Sequence, residues 1–496
     1  MWRLPGDGNM CNCLCCSQVY AGSNNQLKEF ELITRAHCLI ICLLLCISCN
    51  TATNTGLCPE LRISENGRFL MSRTGEPFFW LGDTGWLLFT KLSREEAEIY
   101  FQDRSEKGFN VIQAMVLHDV RRAVNVYGDS ALQSNDTGRP FTTPGSSADN
   151  PSEYDYWDHV DYLIDLAGEK GLYVALVPVW GSNVRNGSVT RESAGAYASW
   201  LAERYKNCSN VIWLNGGDVR GSDSTAIWQL IGSSIRRINP GQLITFHPFG
   251  RTQSSTWFHD EGWLDFNMFQ SGHRRYDQDT AGLAYGEDNW KYAPHDYARI
   301  PVKPILDSEP SYEGIPQGLH DPAQPYWTDS DVRRYAYWSV FAGCCGFTYG
   351  HNAIMQFHKE GDPEPAYGVK ETWDAALNAP GASQMKYLRD LILSKPYFDR
   401  IPSQDLIAGI QGERYDYIVA TRGKDYAFIY TFNGRVIIID AGRMNLSRIK
   451  ASWYNPRNGE YIRIGTFRGT GTQSFDPPGE ISNGNDWVLV LEKNGR

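Results

Sequence analysis

Two acidic groups follow apolar, strand-like runs in a way that would bring carboxylates to a shared mouth. Asp218 closes the run Trp213-Leu214-Asn215-Gly216-Gly217, and Glu309 follows Ile305-Leu306-Asp307-Ser308. Two opposed carboxylates are what cleavage of a glycosidic bond requires. One donates a proton to the leaving oxygen; the other attacks, or activates water against, a carbon with oxocarbenium character. Their surroundings must differ, so that one is protonated and the other ionised at the same pH. Each acid alone has a plainer use: Asp218 can cap the next helix or pair with Arg220, and Glu309 can pair with an arginine. The two together, in these positions, favour catalysis. Asp307 shares the parity of Glu309, and Glu313 lies further along. Glu309 is preferred as the acid nearest the strand end without sitting inside it.

Other strand ends carry hydrogen-bonding groups interleaved with tryptophan. Asp83 and Trp86 follow the first strand, His118 and Asp119 the second, and Trp180 the third. Asn215 ends the fourth, His247 follows the fifth, Gln270 and His273 the sixth, and His351 and Asn352 the eighth. Such a set suits a sugar, so Asp83, Trp86, His118, Trp180, Asn215, His247, Gln270, His273 and His351 are expected to bind substrate. A rival reading gathers His118, His247, His273 and His351 around zinc in a metal-dependent hydrolase. No H-x-H or H-E-x-x-H spacing supports it, and neither a metal nor another cofactor is expected. An esterase would need G-x-S-x-G, for which Trp180-Gly181-Ser182-Asn183 is a poor substitute. Leu81-Gly82-Asp83-Thr84-Gly85-Trp86 is not G-x-G-x-x-G, which argues against a dinucleotide site.

These residues need a scaffold that presents strand ends to one face. Apolar runs at 78–82, 110–117, 172–180, 211–214, 243–246, 264–269, 302–306 and 346–349 read as eight strands. Helical patterns alternate with them, at 157–170, 190–206, 224–238 and 329–342, with a further helix at 381–393. The first helix is announced by Ser93 with Glu96 three residues on, a capping box, and stops at Gly108. Eight alternating units predict an α/β fold, a (β/α)8 TIM barrel over residues 61–398. In such a barrel, catalytic side chains project from the C-terminal strand ends. Strands four and seven face each other across the mouth. The long interruptions at 119–153 and 271–300 belong on the same face. From 399 to 496 the runs become short and alternating, with Asn433-Gly434 and Asn458-Gly459 as turns, predicting a small antiparallel β-sandwich.

A chain of 496 residues accommodates two or three such units, and 42% hydrophobic content supplies their cores. Aromatics at 13%, with 16 Trp, serve those cores and also offer rings for sugars to stack on. A net charge of -10 with no basic run argues against nucleic acid. Eight of the 12 cysteines fall within the first 49 residues, leaving Cys58, Cys208, Cys344 and Cys345 in the body. The apolar run 38–48, with Lys28 and Arg35 upstream, is too short to span a bilayer and fits the core of a signal peptide. It ends in Ile47-Ser48-Cys49-Asn50, similar to a bacterial lipoprotein motif in which Cys49 would be lipidated; Cys46 stands where that motif usually has Leu. Residues 1–49 are therefore expected to be a leader and 50–60 a linker. The mature chain is expected to be exported as a periplasmic or outer-membrane lipoprotein, a monomer touching membrane only through that anchor.

Three motifs together resemble glycoside hydrolase family 140, the apiosidase-like enzymes of pectin-degrading gut bacteria. They are Trp80-Leu81-Gly82-Asp83-Thr84-Gly85-Trp86, Asn215-Gly216-Gly217-Asp218 and Asp307-Ser308-Glu309-Pro310-Ser311-Tyr312-Glu313-Gly314, and the resemblance covers residues 60–490. It implies a clan A barrel with an acid/base after strand four and a nucleophile after strand seven, roles that fall on Asp218 and Glu309. It implies a retaining glycosidase acting on apiose-containing side chains of rhamnogalacturonan II, and a C-terminal domain of a type labelled collagen-binding. Many clan A relatives place Asn-Glu after strand four, whereas here Asn215 is followed by Asp218, which leaves acid/base reach and stereochemistry open. The competing reading is a non-catalytic surface protein that binds glycan or collagen.

Overall fold

The computed structural model describes residues 58–279 and 285–495. The leader with Cys49, and residues 50–57 of the linker, lie outside the described residues. A short antiparallel sheet of β1 (Leu61–Ile63), β2 (Leu70–Ser72) and β3 (Pro77–Phe78) leads into the barrel.

The barrel strands are β4 (Trp80–Thr84), β5 (Val111–Met115), β6 (Tyr173–Val177), β7 (Val211–Val219), β8 (Ile244–Pro248), β9 (Asn267–Phe269), β10 (Ile305–Asp307) and β11 (Gly346–Tyr349). They lie parallel in the order β8-β7-β6-β5-β4-β11-β10-β9. The seam between β8 and β9 is bridged by the Asp265 amide donating to the Ile244 carbonyl at 2.8 Å, and by the Thr245 hydroxyl donating to the Phe266 carbonyl at 2.6 Å. This is the expected (β/α)8 barrel. Its strands are buried on both faces, which is why they read as continuous apolar runs. Phe78 pairs in the leading sheet, so the first barrel strand starts at Trp80. β7 runs on past residue 214 to Val219.

Around the barrel stand α1 (Arg94–Glu106), α2 (Tyr156–Glu169), α3 (Arg191–Arg204), α4 (Thr225–Ile238) and α5 (Asp329–Phe341), followed by α6 (Pro380–Leu393). The expected capping box opens α1, with Ser93 and Glu96 each bonding the other's backbone amide.

The C-terminal part is two antiparallel layers of unequal size. β12 (Ile401–Pro402), β13 (Ile418–Arg422), β14 (Tyr426–Thr431), β16 (Arg448–Tyr454), β17 (Tyr461–Arg468) and β19 (Trp487–Lys493) form a six-stranded sheet. β15 (Ile437–Asp440) and β18 (Thr472–Phe475) form a two-stranded one. Alternation along β14 and β19 sends Ala427, Ile429, Leu489 and Leu491 between the layers, against Ile437 and Ile439. The opposite parity, Phe428, Tyr430, Val488 and Val490, joins the core of the barrel itself. Tyr430 stacks on Tyr337 of α5 with centroids 4.8 Å apart. A buried pair, Arg333 to Asp486 at 3.0 Å through two nitrogens, ties the same helix to the sheet.

Candidate active site

The local structure that aims Asp218 is a bulge. β7 pairs with β8 in register as far as Gly216 opposite His247, then resumes only at Val219 opposite Pro248. Gly216, Gly217 and Asp218 all have positive φ, +94°, +104° and +51°. A Cβ on Gly217 would sit 2.5 Å from the Trp180 indole, and one on Gly216 would sit 2.6 Å from the His247 carbonyl oxygen. Only glycine fits there, and the inserted residues turn the Asp218 carboxyl into the barrel mouth. Asn215 just before the bulge points the other way, its amide donating to the Trp228 carbonyl in α4 at 2.8 Å.

Of the three acids around β10, the structure brings only Glu309 to the cavity. Asp307 is buried, accepting from Ser271 Oγ at 2.9 Å, Asn289 Nδ2 at 2.9 Å and Ser339 Oγ at 2.6 Å. Glu313 accepts from the Tyr349 hydroxyl at 2.6 Å and from the Gly381 amide, in the first turn of α6, at 3.0 Å. Glu309 instead has a histidine on each oxygen: His247 Nε2 lies 3.1 Å from Oε2, and His273 Nε2 lies 3.4 Å from Oε1. One carboxylate oxygen of Asp218 and one of Glu309 lie within 4.8 Å of each other, across a cavity of about 260 Å³.

The surroundings drive the two acids apart. Burial alone would raise Glu309, but the imidazoles of His247 and His273 beside its two oxygens outweigh it and hold the carboxyl at about 2. Burial pushes Asp218 up to about 6, helped by the negative charge of Glu309 and only partly offset by His247 and the Gln270 amide. One group is thus a carboxylate over the whole working range, and the other can carry a proton in mildly acidic solution. Tyr312 accepts from Trp86 Nε1 at 3.2 Å, and burial beside Glu309 keeps its phenol protonated.

Trp86, His118, Trp180, Gln270 and His273 line the cavity with the two acids. His247 lies buried beneath, its ring centroid 5.3 Å from that of Trp86 and 5.7 Å from that of Trp180. Three expected substrate-binding residues are elsewhere. Asp83 is fully buried, paired with Arg104 at 2.7 Å and accepting from Tyr100 at 2.8 Å, because its position on β4 faces α1. Asn215 faces α4 as described. His351 caps the short helix Asn352–Met355, its Nδ1 accepting from the Ala353 amide at 3.1 Å.

Strand-end reasoning missed Tyr312, Leu87 and Met115, although each adjoins a residue or strand it had singled out. It also missed Ile315, Leu319, Met355, Gln356, Ala366 and Tyr367, from the loops after β10 and β11, where no local pattern marks them. The four-histidine zinc cluster does not assemble: among the described residues, Asp218, His247 and Glu309 offer the one group of donors close enough to share a cation. Two of its members are the acids themselves.

A barrel with two differently tuned carboxylates facing each other across an aromatic-walled cavity at its C-terminal face defines a glycoside hydrolase. The profile described as "Apiosidase-like, catalytic domain" matches residues 64–399, and the chain belongs to that family. A second profile, described as "Putative collagen-binding domain of a collagenase", matches residues 401–492. A solved structure titled glycoside hydrolase is 46% identical with a TM-score of 0.82, over 88% of this chain and 98% of that one. A glycoside hydrolase family 5 structure from Bacteroides vulgatus ATCC 8482 is 44% identical with a TM-score of 0.82, over 88% and 93%. Another glycoside hydrolase structure from the same strain, 15% identical with a TM-score of 0.61, shares the fold. None of the curated proteins compared matches the chain. The chain is an enzyme, and the non-catalytic reading gives way.

Proposed function

We propose that this glycoside hydrolase cleaves an apiose-containing side chain of a pectic glycan with retention of configuration. In this reading Asp218 is the acid/base and Glu309 the nucleophile. The spacing of the two acids supports it: one oxygen of each lies within 4.8 Å of the other, which suits the roughly 5–5.5 Å between carboxyl groups in retaining enzymes better than the ~6.5–9.5 Å of inverting ones. Glu309, ionised between His247 and His273, attacks the anomeric carbon while Asp218 gives its proton to the leaving oxygen. Asp218 then draws the proton from a water that opens the glycosyl–enzyme ester. The apiose assignment is supported by family membership, and the Trp86 and Trp180 walls suit the C–H face of a sugar.

The test is hydrolysis of rhamnogalacturonan II oligosaccharides followed by NMR from the first turnover. Initial release of the same anomer supports retention; the opposite anomer excludes it. Asp218→Asn and Glu309→Gln are each expected to lower kcat by about 10³-fold or more with the fold intact, in line with removal of an acid/base or a nucleophile. Export as a lipoprotein anchored at Cys49 belongs to the same proposal. It is supported by the apolar run 38–48 and is tested by metabolic lipid labelling, which Cys49→Ala should abolish.

A further inference from the structure

His273 reaches Glu309 from residues 271–279 after β9, and much of what holds these residues and 285–291 comes from the turn 414–417 that leads into β13 of the C-terminal part. The two stretches are pinned together on Asp307, through Ser271 on one side and Asn289 on the other. Between them Glu287 is buried, its carboxylate 2.8 Å from Arg334 of α5 and accepting from the Tyr415 hydroxyl at 2.8 and 2.9 Å. A buried carboxylate is tolerated only with such donors, so both partners are required. The Tyr415 ring also lies 5.7 Å from that of Tyr276, three residues beyond His273, and the Arg414 guanidinium sits 4.8 Å over the same Tyr276 ring. Trp290 stacks on Tyr417 at 3.8 Å, with ring planes 9° apart.

We propose that the C-terminal part takes part in catalysis through the turn before β13, which holds the described residues either side of His273, and that Tyr415 is a positioning residue for His273 and through it for Glu309. The proposal rests on the reading of Glu309 as nucleophile. The C-terminal part is then not a detachable module whose loss would only weaken attachment to a polymer. Its Tyr415 and Tyr417 face are one wall of the support beneath the reacting carboxylate. Small misplacements of a reacting group are costly, which is why a hydrogen bond this far from the substrate can be felt in turnover.

The experiment compares full-length variants on rhamnogalacturonan II oligosaccharides. Tyr415→Leu, which loses both the Glu287 hydrogen bond and the ring contact, is expected to lower kcat about tenfold while KM stays near its wild-type value. Tyr415→Phe, which keeps the ring but takes the hydroxyl from buried Glu287, should show a large part of that loss and provides the readout if Tyr415→Leu does not fold. The control is Phe428→Leu, on the barrel-facing side of β14, whose ring packs against Phe341 of α5. It should lower Tm with kcat unchanged. Wild-type kcat in both Tyr415 variants would overturn the proposal, and so would kcat losses in all three variants that simply track Tm. Full turnover by Glu309→Gln would instead sink the nucleophile assignment, so the two failures are told apart.

Discussion

At the residue scale, the informative pair is Asp218 and Glu309, because the same fold gives two carboxyls opposite tendencies. The mechanism needs Asp218 protonated and Glu309 ionised. kcat/KM should therefore fall as pH rises through about 6, where Asp218 loses its proton, and as pH falls towards about 2, where Glu309 gains one. A pH–rate profile with its optimum on the acidic side is expected, its limbs belonging to the coupled pair; an optimum well above neutral would contradict this assignment. The same shift bears on stability. A carboxyl whose pKa is raised on folding destabilises the fold once it ionises, so stability is lost as pH rises from the ordinary Asp value through about 6. Asp218→Asn should then be more stable than wild type at pH 8, by about 1–2 kcal/mol, a gain that vanishes near pH 4. Thermal unfolding of both proteins across that range reads it directly. Asp83 marks the contrast. Its partner Arg104 is fully buried, so Arg104→Met should cost about 3–5 kcal/mol in denaturant unfolding by stranding a buried charge. A substrate-binding Asp83 would show up in KM instead.

At the scale of elements, the site depends on the β7 bulge, and the bulge depends on glycine. Gly217→Ala must place a Cβ against Trp180 at a φ of +104°, so a stability loss of about 1–3 kcal/mol is expected, with kcat down by about 10²-fold as Asp218 is displaced. Gly187 also has positive φ, +79°, but its Cβ would meet nothing within 4 Å. Gly187→Ala should therefore cost about 1 kcal/mol and leave kcat alone; equal kinetic losses in both variants would rule out a special role for the bulge. The bulge also explains what could and could not be read from the chain. Buried parallel strands announce themselves as apolar runs, so the eight-strand barrel and the acids ending strands four and seven were legible. Which way a strand-end side chain faces was not, because it is set by parity and by bulges that reset parity. Asp83 near the end of β4 and Asn215 just before the β7 bulge face α1 and α4. Leu319 and Tyr367 reach the cavity from loops whose course depends on tertiary packing, and their own sequence carries no period to announce it.

At the scale of the whole molecule, the barrel and the C-terminal sheets divide by sequence pattern but not by core. Domains that merely touch bury modest, partly polar interfaces and unfold separately. Here alternate residues of β14 and β19 belong to the barrel's core, Tyr430 stacks on Tyr337, and the Arg333–Asp486 pair is sealed between the two parts. Removing the sheets would uncover Tyr337 and Phe341 on α5 together with Arg333, which no longer has Asp486. Neither part therefore has a complete fold of its own, and heating should unfold them together. Scanning calorimetry of the full chain is expected to show one transition with calorimetric and van't Hoff enthalpies in agreement. A chain ending at residue 399 should be insoluble or lack that transition. Two resolved transitions, or an active truncated barrel, would show that the shared core does not couple the parts, and would also remove the physical basis for Tyr415 supporting the catalytic segment.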